Sequence, residues 1–123
     1  MPSTSHEMWT HGTSLRVQDP EACTAAPHGW GMDLRGAFKS WTWVQFAIPT
    51  PVVAAGQKLR VSSAMVSFKT EHAHIRRIHV WDGNKKIASH DDLWLEGGMQ
   101  VKTVPVTALD LRHGICISVR VEF

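Results

Sequence analysis

The sequence has no tyrosine, only two cysteines, and no long run of basic or apolar residues. Each shortage removes a class of protein. Cys23 and Cys116 are far apart, show no metal spacing, and are too few for a disulfide framework. They leave room for a single bridge, but free thiols in a reducing cytosol are the simpler expectation. The longest basic runs are Arg76–Arg77 and Lys85–Lys86, and the net charge is only +2. That leaves no electrostatic footprint for nucleic acid. No apolar stretch reaches the length of a membrane span. The opening "MPSTSHEM" has neither a basic start nor an apolar stretch, so it does not read as a secretory signal. Residues 1–7 are expected to be a flexible tail and residues 8–123 one domain, with a cytoplasmic location. The glycines of "GWGMDLRG" lack the spacing of a phosphate-binding loop. No segment keeps a 3.6-residue period over three turns; the best helical stretch, "DPEACTA", predicts at most a short turn.

Alternation is what the sequence has in quantity. In "GICISVRVEF", Ile115, Ile117, Val119, Val121 and Phe123 alternate with Cys116, Ser118, Arg120 and Glu122. Period 2 means a strand with one dry and one wet face. Phe123 in this register is expected to be packed. "MWTHGTSLRV" puts Trp9, Thr13, Leu15 and Val17 on one face. "SWTWVQFAIP" sets Val44, Phe46 and Ile48 against Trp41, Trp43 and Gln45. "HIRRIHVWD" sets Ile78 and Val80 against Arg77, His79 and Trp81. "KLRVSSAMVSFKT" reads as a long strand with Val66 and Phe68 inward, and "KKIASH" and "MQVKTVPV" as further strands. Pro105 marks an edge or a bulge. Turn signals separate these runs at "PHGWG", "PTP", "AAGQ", "DGNKK" and "EGG"; Asp82-Gly83-Asn84 is the strongest hairpin signal. About eight antiparallel strands at this spacing predict an all-β, jelly-roll-like β-sandwich.

Five segments together carry a family likeness: "MWTHGTSLRVQ", "WVQFAIPTPVV", "LRVSSAMVSFKT", "IRRIHVWDGNKKIASHDDLWL" and "GICISVRVEF". Over residues 8–123 the sequence resembles the DUF6623 family, small bacterial and fungal proteins of unknown function. The resemblance implies a single-domain β-sandwich. It carries over no catalytic or binding residue.

Three kinds of chemistry are open to the side chains. His72 and His74, two apart, would share one side of a strand, but Arg76 and Arg77 beside them oppose a cation. No metal and no cofactor are expected. His79, Asp82 and His90 lie on or beside one hairpin, with Asp91 and Asp92 following. An imidazole beside a carboxylate can move protons at neutral pH. Yet Asp82 is also the ordinary turn residue for such a hairpin. No Ser-His-Asp, GxSxG or Cys-His signature supports a nucleophilic mechanism.

Trp41 and Trp43 share one strand face, and Arg77, His79 and Trp81 share another. In one sheet they would form a patch suited to a sugar ring. The same patch would suit a subunit interface in a homo-oligomer. The indoles could also be core, because parity cannot say which face is inside when both carry large apolar groups. The expectation is a small-molecule or carbohydrate binding module using Trp41, Trp43, Arg77 and Trp81. Two alternatives stand beside it. One is a cofactor-independent isomerase, cyclase or lyase using His79, Asp82 and His90. The other is a structural or assembly subunit.

Overall fold

A computed structural model describes residues 8–48, 53–54, 57–58 and 60–123. These described residues form one 3-10 turn, Gly12–Ser14, and eleven strands. These are β1 (Arg16–Val17), β2 (Cys23–His28), β3 (Gly31–Gly36), β4 (Trp41–Ile48), β5 (Val53–Ala54) and β6 (Gln57–Lys58), followed by β7 (Arg60–Phe68), β8 (His74–Asp82), β9 (Lys85–His90), β10 (Gln100–Asp110) and β11 (Ile115–Glu122). Eight of them have six residues or more, and six of these (β4, β7, β8, β9, β10 and β11) are strands that the sequence predicts.

One layer is a five-stranded antiparallel sheet in the order β1-β4-β11-β8-β9. The second is the antiparallel pair β7–β10. Val44, Ile75, Ile78, Val80, Ile115, Ile117, Val119 and Val121 come from the first layer. Ala64, Val104 and Val106 meet them from the second, with Leu111 beyond it. This is an all-β sandwich with its core between the layers. Val66 and Phe68 are half-buried against that core. Ile78 and Val80 are fully buried, and each contributes roughly 2–3 kcal/mol by leaving water.

Two irregularities keep the core apolar. Arg77 faces Arg120 and Ile75 faces Val121, so Arg76 is an extra residue in β8. This bulge lets Ile75 and Ile78, three apart, both point inward. In β9, Ile87 is skipped between Lys86 opposite Trp81 and Ala88 opposite Val80. His79 therefore faces Ser89, one position from the Ala88 that simple hairpin counting predicts. The register of β10 also shifts just after Pro105, where the proline predicts an irregularity.

The N-terminal expectations change. Of "MWTHGTSLRV" only Arg16–Val17 is strand. His11 interrupts the run: its Nδ1 accepts from the Thr13 amide (3.1 Å) and its Nε2 donates to the Gly29 carbonyl (2.9 Å). "DPEACTA" gives a turn and then β2, which pairs with β3 in a hairpin tipped by Gly29–Trp30. The turn signal "PTP" lies outside the described residues. Phe123 is held as its register predicts. Its amide donates to Ser40 (2.9 Å) and its carbonyl accepts from Lys39 (2.8 Å). A Cβ at Gly36 would fall inside the Phe123 ring. Gly36→Ala is therefore expected to displace that ring and cost about 1–2 kcal/mol, measured as a lower urea midpoint. An unchanged midpoint would show that the ring yields freely.

Candidate functional site

The outer face of the five-stranded sheet is built around β11. Its outward residues Cys116, Ser118, Arg120 and Glu122 lie between two sets of partners. On β4 these are Ala47, Gln45, Trp43 and Trp41 in that order. On β8 they are Trp81, His79, Arg77 and His74. Period 2 on three paired strands thus stacks four rows of side chains on one surface.

The first two rows, with Trp43 of the third, line a shallow depression of about 360 Å³. Trp43 and Trp81 line it together with Gln18, Gln45, His79, Gly83, Cys116 and Ser118. Its polar groups form a chain. Gln45 Oε1 accepts from the Ser118 hydroxyl and lies 3.6 Å from the Cys116 thiol. Gln45 Nε2 donates to Gln18 Oε1 (2.9 Å). The His79 ring leans on Trp43, with centroids 4.8 Å apart and a 44° tilt.

His79 is oriented by a carboxylate. Its Nε2 donates to Asp91 Oδ1 at 2.6 Å, and Ser89 Oγ donates to Asp91 Oδ2 at 2.8 Å. The hydrogen bond from His79 holds the Asp91 carboxyl below its ordinary range. The Ser89 hydroxyl adds to this, slight burial opposes it, and the charges of His79 and Arg77 help. An ionised carboxylate can only accept, so His79 carries its hydrogen on Nε2. In the neutral ring Nδ1 is then the basic nitrogen.

The three residues expected to act together, His79, Asp82 and His90, do not converge. Asp82 is buried, and its carboxylate accepts from the amides of Arg112 (2.9 Å), His113 (2.9 Å) and Gly114 (3.0 Å). His90 lies opposite the inward-facing Ile78, and its Nε2 donates to the Pro105 carbonyl at 2.9 Å. Asp91, which follows His90 in the sequence, is the carboxylate that meets His79. In contrast, Trp41, Trp43, Arg77 and Trp81 do share one face, with β11 between the two pairs. His72 and His74 form no pair: His72 is exposed at φ 59°, and His74 stacks on Trp94.

Gln18, Ser118 and Arg120 also belong to this face, beyond the residues expected from the sequence. Alternation in β11 did carry a signal for the last two, because it places them on the wet side. Both cysteines are free. Burial pushes the Cys23 thiol up, a hydrogen bond with the Arg35 backbone opposing more weakly; the thiol that lines the depression is Cys116.

The profile of a family of unknown function, DUF6623, matches residues 1–123. The chain belongs to the DUF6623 family. The match starts seven residues earlier than the likeness read from the sequence alone. No curated protein and no solved structure matches this DUF6623 chain. Among its described residues, no three His, Cys, Asp or Glu side chains cluster as metal ligands. No helix among them is long and apolar enough to cross a membrane.

Proposed function

We propose that this protein is a binding module for a sugar-like small molecule, held in the depression on the outer face of the five-stranded sheet. One observation carries the reading. Two indoles, Trp43 and Trp81, border a floor of linked, uncharged polar groups: Gln18, Gln45 and Ser118. A sugar ring has apolar C–H faces and hydroxyl edges. Indole covers the first, and amides and hydroxyls bond the second.

Tryptophan fluorescence and calorimetry against a panel of neutral mono- and disaccharides test it. Trp43→Ala and Trp81→Ala are each expected to lower affinity about tenfold, the equivalent of one lost stacking contact. Trp30→Ala, at the tip of the β2–β3 hairpin and 73% exposed, is the control with unchanged affinity. The reading is wrong if no sugar binds, or if Trp30→Ala weakens binding as much as Trp43→Ala.

The 2.6 Å contact between His79 and Asp91 favours a second reading, a cofactor-independent enzyme of isomerase, cyclase or lyase type. His79 Nδ1 would be its base, with Asp91 taking the part expected of Asp82. Exchange of a substrate C–H with deuterated water, followed by proton NMR and abolished by His79→Ala, would support it. Exchange that survives His79→Ala would remove it.

A further inference from the structure

Resting on the sugar-binding reading, we infer that the ligand of this face carries a carboxylate: a uronic-acid-type sugar whose acid group lies at the arginine end of the depression. The last two rows of the outer face differ in character from the depression. Arg120 follows Ser118 by two residues on the same face, about 7 Å along the strand. Its guanidinium lies over Trp41, 4.0 Å from the ring centroid. Arg76 lies 5.2 Å from the centroid of Trp94, and His74 stacks on the same indole at 3.8 Å and 15°. Trp41 and Trp94 remain 45% and 58% exposed, so two large flat apolar surfaces meet solvent beside cations.

The anions present do not balance these cations. Glu122 lies 3.0 Å from Arg120 Nε, 4.0 Å from Arg76 Nε and 3.5 Å from His74 Nε2. These are charge contacts without alignment: Arg120 Nε and His74 Nε2 are buried and make no aligned hydrogen bond. Arg77, opposite Arg120 on the ladder, acts on Asp91. Two guanidinium groups, Arg76 and Arg120, thus share the single Glu122 carboxylate, which leaves one cation in excess before His74 is considered. A planar guanidinium matches a carboxylate edge to edge. An indole-backed arginine two residues from a sugar-sized depression therefore selects an acid group on the ring bound there or on its neighbour.

The probes are α-1,4-linked digalacturonic acid and the same disaccharide with both carboxylates reduced to alcohols, titrated by calorimetry. The acid is expected to bind about tenfold tighter at low salt, with the advantage shrinking as ionic strength rises. Arg120→Met, which keeps an unbranched chain over Trp41, should bring the acid-to-neutral ratio near one. Glu122→Gln, which removes the competing carboxylate, should raise it. The opposite signs guard against a merely structural effect, and Arg76→Met serves if Arg120→Met does not fold. Monomeric galacturonic acid in a parallel arm separates a free sugar acid from a polymer segment. Equal binding of the two disaccharides, or a ratio unmoved by both arginine variants, overturns the inference and leaves the sugar-binding reading standing. Failure of both disaccharides to bind overturns the inference, and if the neutral sugar panel fails as well, the sugar-binding reading falls with it.

Discussion

Replacing Asp82 with alanine is expected to lower the melting temperature by roughly 10 °C. The carboxylate closes the end of β8 and receives three consecutive amides, those of Arg112, His113 and Gly114. These amides belong to the turn that carries the chain from β10 into β11, the central strand of the large sheet. Removing the acceptor leaves three donors to find water. At ordinary values for hydrogen bonds to a charged group, with partial rehydration of a turn, the cost is about 3 kcal/mol. Asp82→Asn keeps one acceptor oxygen and should lose about half as much. The same clasp has a pH signature. Burial pushes the Asp82 carboxyl up, but the three amides, with the nearby charge of His113, outweigh it and hold it below its ordinary range. A carboxyl depressed in the folded state stabilises the fold above the unfolded carboxyl pKa of about 4. That contribution disappears as pH falls through the lower folded value. Thermal melts from pH 7 to pH 3 should show the wild type losing its advantage over Asp82→Ala only below about pH 4. Equal melting temperatures at pH 7 would show that the clasp is dispensable.

The second large effect separates the two faces of the sheet. Ile78→Ala is expected to cost about 3–4 kcal/mol, because Ile78 has no exposed surface and its removal opens a cavity between the layers. Trp43→Ala removes a far larger side chain, yet should cost only about 1 kcal/mol. Trp43 is half-buried on the outer face, where its loss deepens a solvent-filled depression. A core tryptophan would cost about 3–5 kcal/mol on truncation. Chemical denaturation of the two variants checks this, and a Trp43→Ala loss equal to that of Ile78→Ala would place the core on the other side. The stability result also supports the binding test, since it keeps lost affinity distinct from lost fold.

The legible and illegible parts divide along a physical line. Strands β4 and β11, and β8 from Arg77 onward, follow the alternation closely, because period 2 is a local property of an extended chain. The β2–β3 hairpin has no such pattern: its Cys23 is buried and the rest of β2 is exposed. It was therefore expected only as a turn. His11 ended the N-terminal strand through a hydrogen bond to Gly29, eighteen residues away, which no local pattern shows. The partner of His79 followed the same rule. Asp82 is nearer in sequence but points to the opposite face, whereas Asp91 comes alongside because β9 folds back on β8.

By itself the sequence determined that this chain is β throughout, where its principal strands run, and that Arg77, His79 and Trp81 share a side opposite Ile78 and Val80. Tertiary structure alone decided which side is wet. Alternation sorts a strand into two faces, but a face becomes interior only when a second layer covers it. The β7–β10 pair covers Ile78 and Val80. The long-range pairing of β4, β11 and β8 sets three tryptophans (Trp41, Trp43, Trp81), two histidines (His74, His79) and two arginines (Arg77, Arg120) side by side on the surface left open.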